Sequence, residues 1–328
     1  MPTQKRISVI GLGTMGHGIA QAFAVHGHQV CCFDPLEQAR ESTLPRIQEN
    51  LQREVAVGLF DGLDIENVLG NIRICPTESD ALEAAAFVTE AVAEDLELKQ
   101  AMFARFEQQV TPHTILASNT STWKMSDIAA AMKSPARAIN THWFNPPHIV
   151  PLVEVIPGQH TSEEVTSDTV ALLESIGKTA VRLRKEIPGF LVNRIQIAMY
   201  REILDLLEQD VASAEDIDRA FRASVGFRSA AIGPLQVYDF AGIDINSRVY
   251  RELIQEIRSN RDLHKLVQQL VEQGDWGVKT GQGIFKYTPE LIDERMSERD
   301  ERYLALKKLF YASPQPNRAA DRTSEATD

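Results

Sequence analysis

The chain has 328 residues and a formal net charge of −12, with 43% apolar and 24% charged residues. That composition is ordinary for a globular protein, and the length suggests two domains, each large enough for its own core. The acidic balance argues against a general binder of nucleic acid or of anionic membranes, because both need basic patches.

The N-terminus and the cysteines bear on the cellular compartment. The first residues pass straight into an apolar run without the pattern of a cleaved signal peptide, and no run of about 18 apolar residues predicts a membrane span. Cys31, Cys32 and Cys75 give an odd count with no Cys-x-x-Cys pair. We therefore expect reduced thiols in a cytoplasmic protein, and no metal site.

Short β-branched runs alternate with helical patterns over about the first 187 residues. This alternation predicts an α/β domain, 1–187, built on a mainly parallel sheet with helices on both faces. The runs 136–144 and 152–156 are joined only by a proline-rich turn, which is compatible with an antiparallel pair. The other predicted strands are 7–11, 29–34, 71–75, 87–92, 114–118 and 179–184. The predicted helices of this part are 14–26, 36–55, 95–109 and 162–176.

Pro188 and Gly189 separate this part from a second one, in which strand patterns nearly vanish. Apolar periodicity predicts an all-α domain, 188–312. Its predicted helices are 190–208, 214–223, 234–257, 262–272 and 289–310. The remaining segment, 313–328, is polar and contains proline, and we predict that it is disordered.

A dinucleotide-binding fingerprint follows the first predicted strand. The spacing Gly-x-Gly-x-x-Gly allows a tight turn, a close approach of the backbone to a pyrophosphate and close packing of the helix on the sheet. Asp34 ends the second predicted strand, where a carboxylate accepts hydrogen bonds from a ribose and repels a 2′-phosphate. The pattern predicts NAD as the cofactor in preference to NADP. The residues of the fingerprint are Gly11, Gly13, Thr14, Met15 and Gly16.

Two further segments place chemistry at strand ends. The sequence SNTST, 118–122, follows an apolar strand, so its hydroxyls are expected at the carboxyl edge of the sheet, where ligands bind in such folds. His142 also ends a predicted strand, and Glu154 lies in the next one. A histidine with a carboxylate neighbour suits a general base, because the carboxylate holds the imidazole and stabilises its protonated form. We interpret His148 and His160 as structural loop residues.

Six motifs in order give the chain a resemblance to the 3-hydroxyacyl-CoA dehydrogenase family over about residues 5–310. They are GLGTMGHGIA, EAVAEDLELK, SNTST, HWFNPP with LVEVI, IPGFLVNRI and GVKTGQGIF. The resemblance implies a Rossmann-like N-terminal domain followed by an all-α C-terminal domain that makes a homodimer. It also implies the NAD-dependent interconversion of an (S)-3-hydroxyacyl-CoA and its 3-keto form, in fatty-acid metabolism.

The resemblance implies roles for individual residues as well. It makes His142 the catalytic base and Glu154 its partner, with Ser121 and Asn193 hydrogen-bonded to the substrate oxygen and the histidine. Further residues are implied to lie along the NAD site: Glu94, Lys99, Asn145 and Lys279.

The stretch after the second predicted strand departs from the family pattern. There, members that use acyl-CoA carry a lysine-rich helical hairpin that meets the CoA phosphates. Here Val57 stands in place of such a lysine and Asn50 in place of a hydroxyl residue. The turn 146–151 departs too, and resembles superfamily members that oxidise gulonate, carnitine or pyridine-derived alcohols. Arginines remain in the stretch among acidic residues: Arg46 and Arg53 beside Glu41, Glu49 and Glu54.

Three functions therefore stay open. An NAD-dependent 3-hydroxyacyl-CoA dehydrogenase comes first, because most family members use acyl-CoA. The second is an NAD-dependent dehydrogenase of a non-CoA hydroxy acid or alcohol. The third is an NAD-binding structural protein without catalysis, as some lens crystallins resemble this family; the intact set of Ser121, His142, Glu154 and Asn193 argues against it. For both dehydrogenases the expected partner is a small-molecule substrate, with no nucleic acid and no membrane.

Overall fold

The structure is a computed structural model that describes residues 4–60 and 62–311. The predicted disordered tail, 313–328, lies outside the described residues. The chain divides into two compact units. The first unit contains the residues up to Leu191 together with those from Asp300 onward, and the second unit is Val192–Arg299. Among the helices described, none combines the length and the apolar character needed to cross a membrane.

Eight strands of the described residues form one sheet in the first unit. They are β1 Arg6–Ile10, β2 Gln29–Phe33, β3 Ile72–Ile74, β4 Phe87–Glu90, β5 Ile115–Ser118, β6 Ala138–Trp143, β7 Leu152–Pro157 and β8 Thr179–Arg182. Their order is β3-β2-β1-β4-β5-β6-β7-β8. Along this spatial order, every pair of neighbouring strands from β3 to β6 is parallel. Strands β6 and β7 are antiparallel, and β8 is parallel to β7. The predicted mainly parallel sheet is confirmed.

The strand order reverses direction beside β1. The chain moves outward from β1 to β3 and then returns to β4, on the other side of β1. In sheets of this kind ligands bind in the crevice beyond the carboxyl ends of the strands at the reversal point. The loops after β1 and β4 therefore border the crevice in which a dinucleotide is expected.

Helices flank both faces of this sheet. They are α1 Gly16–Val25, α2 Glu37–Ala56, α3 Ile65–Gly70, α4 Glu78–Leu82, α5 Leu96–Gln109, α6 Met125–Ile128 and α7 Glu163–Ser175. The sequence interpretation missed α3, α4 and α6, because four to six residues are too few to show a helical period. Side-chain caps were the available signal: Asp64 accepts from the backbone N–H of Asn67, and Thr77 accepts from that of Asp80.

Alternation along the strands divides the core of the first unit into two main clusters. Ile7, Val9 and Cys32 belong to one, with Phe23 of α1. Ile10 and Cys31 belong to the other, which also contains apolar residues of α5. Because successive strand residues point to opposite faces, each cluster fills the space between one face of the sheet and its helices.

The second unit is helical. Its helices are α8 Val192–Glu208, α9 Ala214–Phe221, α10 Phe227–Ala231, α11 Pro234–Ala241, α12 Ile243–Leu253, α13 Lys265–Gln273 and the start of α14 Pro289–Tyr311. The expected single helix over 234–257 is wrong. Gly242 interrupts it with a φ of +92°, a left-handed conformation that favours glycine. The expected helix over 214–223 instead continues through a π-helical segment, Arg222–Gly226, into α10.

Candidate active site

The loop between β1 and α1 has the geometry of a dinucleotide cradle. A Cβ atom on Gly11 would lie 2.6 Å from the carbonyl oxygen of Ala91, and one on Gly16 would lie 1.7 Å from that of Gly11. Side chains at these two positions would force the loop apart. A Cβ on Gly13 would meet nothing within 4 Å, so this glycine faces open space at the N-terminus of α1. The residues present fit a pyrophosphate there.

Asp34 organises the same loop from the end of β2. Its Oδ2 accepts the backbone N–H of Leu12 at 2.8 Å, and its Oδ1 accepts that of Leu36 at 2.9 Å. The carboxylate predicted for the ribose thus also holds the glycine loop in shape, which the sequence did not reveal. Thr14 is exposed beside it and Met15 is half-buried.

Two basic side chains also reach this loop. The Nδ1 atom of His17 lies 2.9 Å from the carbonyl oxygen of Gly13, and the Arg46 guanidinium donates to that of Leu12 at 3.3 Å. Burial lowers the pKa of His17 to about 4, against the opposing effect of its hydrogen bond to Gly13. His17 is therefore a neutral side chain of the loop at neutral pH.

His142 and Glu154 form a buried pair on neighbouring strands. They stand directly opposite each other in the antiparallel register of β6 and β7, and Nδ1 of His142 lies 2.7 Å from Oε2 of Glu154. The other carboxylate oxygen accepts the backbone N–H of Leu191 at 3.1 Å. The pairing directs Nδ1 toward the carboxylate and leaves Nε2 as the ring atom for chemistry.

Two aromatic side chains flank this imidazole. The ring centroids of Phe144 and Phe190 lie 4.4 Å and 5.4 Å from that of His142. Phe190 has a φ of +50°, an unusual conformation for a non-glycine residue. Sequence reasoning assigned neither ring a role, because Phe144 and Phe190 lie at the edges of elements, where a single aromatic residue gives no periodic signal.

The loop after β5 is organised by a carboxylate on the neighbouring strand connection. Glu94 accepts the backbone N–H of Ser121 at 2.6 Å, the Ser121 hydroxyl at 3.1 Å and the Thr120 hydroxyl at 2.8 Å. Because Ser118 pairs with Asn140 in the parallel register of β5 and β6, this loop begins next to the end of the His142 strand.

Lys99 lies beneath Glu94 in a buried ion pair. Its ammonium group is 2.7 Å from Glu90 and 3.7 Å from Glu94, and the Ser118 hydroxyl donates to Glu90 at 2.6 Å. Lys99 therefore stabilises the carboxylates that shape the loop. Glu90 was not among the expected site residues. It is the last residue of β4 and stands with Lys99 in the motif EAVAEDLELK, but the sequence pattern assigned it no role of its own.

Comparison with known proteins places this geometry in a family. The model of the 3-hydroxyacyl-CoA dehydrogenase NAD-binding domain matches residues 6–187, and that of the 3-hydroxyacyl-CoA dehydrogenase C-terminal domain matches 189–287. The chain belongs to the 3-hydroxyacyl-CoA dehydrogenase family. As a member, it is an NAD-dependent oxidoreductase.

Individual relatives of this family member differ in the substrates their names give. The chain is 33% identical to 5-formyl-3-hydroxy-2-methylpyridine 4-carboxylate 5-dehydrogenase of Mesorhizobium japonicum, over 93% of this chain and 98% of that one. A solved structure of an enzyme with the corresponding name, described as an NAD⁺-dependent dismutase, has a TM-score of 0.87 with 32% identity, over 94% of this chain and 98% of that one. A probable 3-hydroxybutyryl-CoA dehydrogenase of Bacillus subtilis is 36% identical over 86% of this chain and 97% of its own length.

The remaining expected residues of this dehydrogenase lie in several places. Asn145 is exposed in the turn after β6. Asn193 lies in the first turn of α8, and Lys279 is exposed in the turn that the Gly277–Gln282 bridge closes. Because Asn193 and Lys279 belong to the second unit, their places in the site stay predictions.

One group of side chains in the second unit has the composition of a metal site. Asp205, Glu208 and His264 present their ligand atoms within 4.8 Å of one another. The Arg258 guanidinium lies among them, at 3.2 Å from Asp205, 3.5 Å from Glu208 and 2.8 Å from the ring nitrogen of His264. A fixed positive charge in that position opposes a cation, so the group acts as an ion-pair cluster that ties α8 to α13.

Proposed function

We propose that this protein interconverts a hydroxyl group and the corresponding keto group of its substrate with NAD, and that His142 is the general base. The observation that supports this most strongly is the buried contact of 2.7 Å between His142 and Glu154 at the carboxyl edge of the sheet. The glycine loop and Asp34 would hold NAD at the same edge. When bound, NAD supplies the hydride acceptor.

His142 would take the hydroxyl proton of the substrate on Nε2. Glu154 fixes the ring through Nδ1 and balances the positive charge that the ring then gains. Phe144 and Phe190 exclude water from the two sides of the ring that they cover. General-base catalysis of this kind is typically worth ~10²–10⁴-fold in rate.

Ser121 and Asn193 would orient the substrate oxygen toward His142. The backbone and hydroxyl contacts of Ser121 with Glu94 hold the 118–122 loop in one conformation, which supports such a role. Glu94, Asn145 and Lys279 would line the NAD site, and Lys99 would act there through Glu94 and Glu90.

A 3-hydroxyacyl-CoA is the first candidate substrate. Both family models carry that name, and the Bacillus relative is named for 3-hydroxybutyryl-CoA. On this assignment the reaction belongs to fatty-acid metabolism.

A hydroxy acid or alcohol without CoA is the second candidate, and two observations favour it. The similarity to the pyridine carboxylate dehydrogenase extends over nearly the whole of both chains. In addition, both arginines of the stretch where CoA phosphates are expected already have partners. Arg46 donates to the carbonyl of Leu12, and Arg53 contacts Glu49 at 2.6 Å and Asp300 at 3.9 Å. A CoA phosphate would have to compete for them.

A matched set of substrates separates the two candidates. Oxidation of NADH is followed by absorbance with acetoacetyl-CoA, with the N-acetylcysteamine thioester of acetoacetate, with free acetoacetate and with a keto or formyl pyridine carboxylate. Turnover confined to acetoacetyl-CoA supports the first candidate, because only that compound carries the nucleotide. Turnover of the free acids alone supports the second. Turnover of none of them contradicts the proposed function.

We also propose that the protein is a cytoplasmic homodimer. The support for a dimer is the apolar surface of the second unit, where His264 is the only fully buried residue described. Several large apolar side chains there are more than half exposed: Ile195, Ile197, Phe227, Leu235, Phe240 and Ile243. Apolar surface of that extent on one unit is typical of a subunit interface.

A further inference from the structure

The turn between β6 and β7, residues 144–151, is held by two lysines through its backbone carbonyls. Lys178 donates to the carbonyl oxygens of Pro147 at 2.6 Å and Val150 at 2.8 Å, and Lys307 donates to that of His148 at 2.7 Å. Prolines at 146, 147 and 151 remove three backbone donors from the turn, whose own N–H groups at Ile149 and Val150 both donate to the carbonyl of Pro146. The lysines supply donors that its buried carbonyls require.

Lys178 approaches the turn from the start of β8. Its side chain is buried, and its ammonium group lies 5.1 Å from the ring centroid of Trp143, the residue after His142. Burial, and to a smaller extent the nearby charge of Lys307, lowers the pKa of Lys178 to about 7.

Lys307 approaches from α14, in the part of that helix that groups with the first unit. Its ammonium group lies 3.8 Å from Glu54 of α2 and 5.8 Å from the ring centroid of Phe60. Glu54 is buried, and it also accepts a hydrogen bond from Gln21 of α1 at 2.9 Å. Burial raises the pKa of this carboxyl to about 7. Lys307 therefore links α14, α2 and the turn.

The underside of the turn rests directly on α1. A Cβ atom on Gly18 would lie 2.7 Å from Cγ of Pro147 and 3.2 Å from Nδ1 of His148. Because α1 begins at the glycine loop, any shift of the turn changes its position relative to the proposed dinucleotide site. The turn is thus fixed by α1, Lys178 and Lys307 together.

Stability is a poor explanation of this arrangement. Burying ammonium groups carries a large desolvation penalty, and a buried ion pair is often no more stabilising than apolar residues of similar volume. The contacts do, however, define one position for the turn. That turn carries Asn145, and it carries Phe144, which packs on His142.

We propose that Lys307 is a positioning residue for the dehydrogenase reaction: through the carbonyl of His148 it fixes the turn 144–151, and with it Phe144 and Asn145, relative to His142. The inference rests on the proposed function of His142. Lys307 lies beyond residue 287, where the match to the family's C-terminal domain ends. The contact with the turn therefore comes from a helix that lies outside both matched domains.

The test compares Lys307→Met with Lys308→Met. Lys308 is the adjacent lysine of the same helix, and it donates to the carbonyl of Val57 at 3.0 Å, away from the turn. We expect Lys307→Met to lower kcat at least about tenfold, because small misplacements of reacting groups have large effects on rate. The NADH dissociation constant, from fluorescence titration, should change less than kcat, since the glycine loop is untouched and Asn145 is the one proposed NAD-site residue in the turn. Lys308→Met should keep wild-type kcat, and Lys307→Arg should restore most of the loss.

Amide hydrogen exchange gives a readout that does not depend on turnover. Peptides that cover 144–151 should exchange faster in Lys307→Met than in Lys308→Met, and apart from peptides around Glu54 of α2 the rest of the first unit should be unchanged. If Lys307→Met does not fold, Lys307→Gln, whose side chain is too short to reach the carbonyl of His148, is expected to show the same kcat loss and exchange pattern. Wild-type kcat and exchange in the folded variant would overturn the proposal, as would equal losses in Lys308→Met. The wild-type protein could instead turn over no substrate, while the exchange difference between the two variants persists. That result would overturn the proposed function, but it would still show that Lys307 holds the turn.

Discussion

The two units of this protein bury their apolar side chains to very different extents. In the first unit, α1 is buried along almost its whole length, and both faces of the sheet carry closed clusters. In the second, none of the 17 residues of α8 is fully buried, and Leu235 and Phe240 of α11 are 81% and 79% exposed. The described part of the first unit holds its core within one chain, whereas the second presents apolar faces that a single chain leaves uncovered.

The contrast also separates the residues proposed for the site into two groups. The glycine loop, Asp34, the His142–Glu154 pair and the 118–122 loop are fixed by contacts within the first unit. Asn193 and Lys279 belong to the unit whose apolar faces are open. We therefore expect assembly to affect the second unit's contribution to catalysis more than the first unit's shape.

The largest expected effect is on assembly. The double variant Leu235→Asp, Phe240→Asp places two charges on the exposed apolar surface of the second unit, and it should raise the dimer dissociation constant more than ~1000-fold, because such side chains dominate interface energies. Sedimentation equilibrium measures it. The control is Leu36→Asp, a 68% exposed leucine of the first unit, which should leave the dimer intact. A wild-type monomer, or an unchanged double variant, would contradict the proposed interface.

The next largest effect tests the difference in packing between the two units. Gly16→Ala should lower the free energy of unfolding by about 3 kcal/mol, because its Cβ would lie 1.7 Å from the carbonyl oxygen of Gly11. A Cβ atom on Gly233, in the second unit, would meet nothing within 4 Å. Gly233→Ala should therefore change the free energy of unfolding by less than about 1 kcal/mol. Urea unfolding of the NAD-free protein measures both.

Gly13→Ala separates binding from stability in the same experiment. Its Cβ also meets nothing within 4 Å, so stability without NAD should stay near that of the wild type. NADH binding should weaken, because the added methyl group occupies the space where the pyrophosphate would approach the backbone. Unaltered NADH affinity in Gly13→Ala would contradict the proposed cradle.

A smaller effect concerns the pH dependence of the first unit. Burial lowers the pKa of His17 from 6.5 to about 4, so the fold favours the neutral ring. Between these pH values the unfolded chain binds a proton that the folded chain does not. The stability that the fold gains from a neutral His17 is therefore complete above pH 6.5. As the pH falls toward 4, the free energy of unfolding decreases by about 2–3 kcal/mol. His17→Gln should flatten the slope of unfolding free energy against pH in this window, whereas His160→Gln should keep it.

Much of the fold could be predicted from local patterns. The strands lie within a few residues of their β-branched runs, and the alternation with helices predicts the parallel sheet. Short helices such as α3 were not predicted, because a helical period can be recognised only over a longer segment. The break at Gly242 was not predicted either, because one glycine within an apolar pattern is ambiguous.

The site was predictable where residues are close in sequence or carry a motif. The glycine loop, Asp34 and the His142–Glu154 pair fall in this class, since hairpin register brings together residues twelve apart. The contacts of Lys307 with His148 and Glu54 join positions 159 and 253 residues apart, and no local pattern connects them. Only the folded chain reveals that α14 contributes to the turn.

The most direct test of the account is the effect of His142→Gln on turnover and on cofactor binding. With a substrate that the wild-type enzyme turns over, kcat should fall at least about a hundredfold while the NADH dissociation constant stays within about threefold. The matched control is His160→Gln, an exposed histidine that should keep wild-type kcat. A His142→Gln enzyme with near wild-type kcat would contradict the assignment of His142 as the general base.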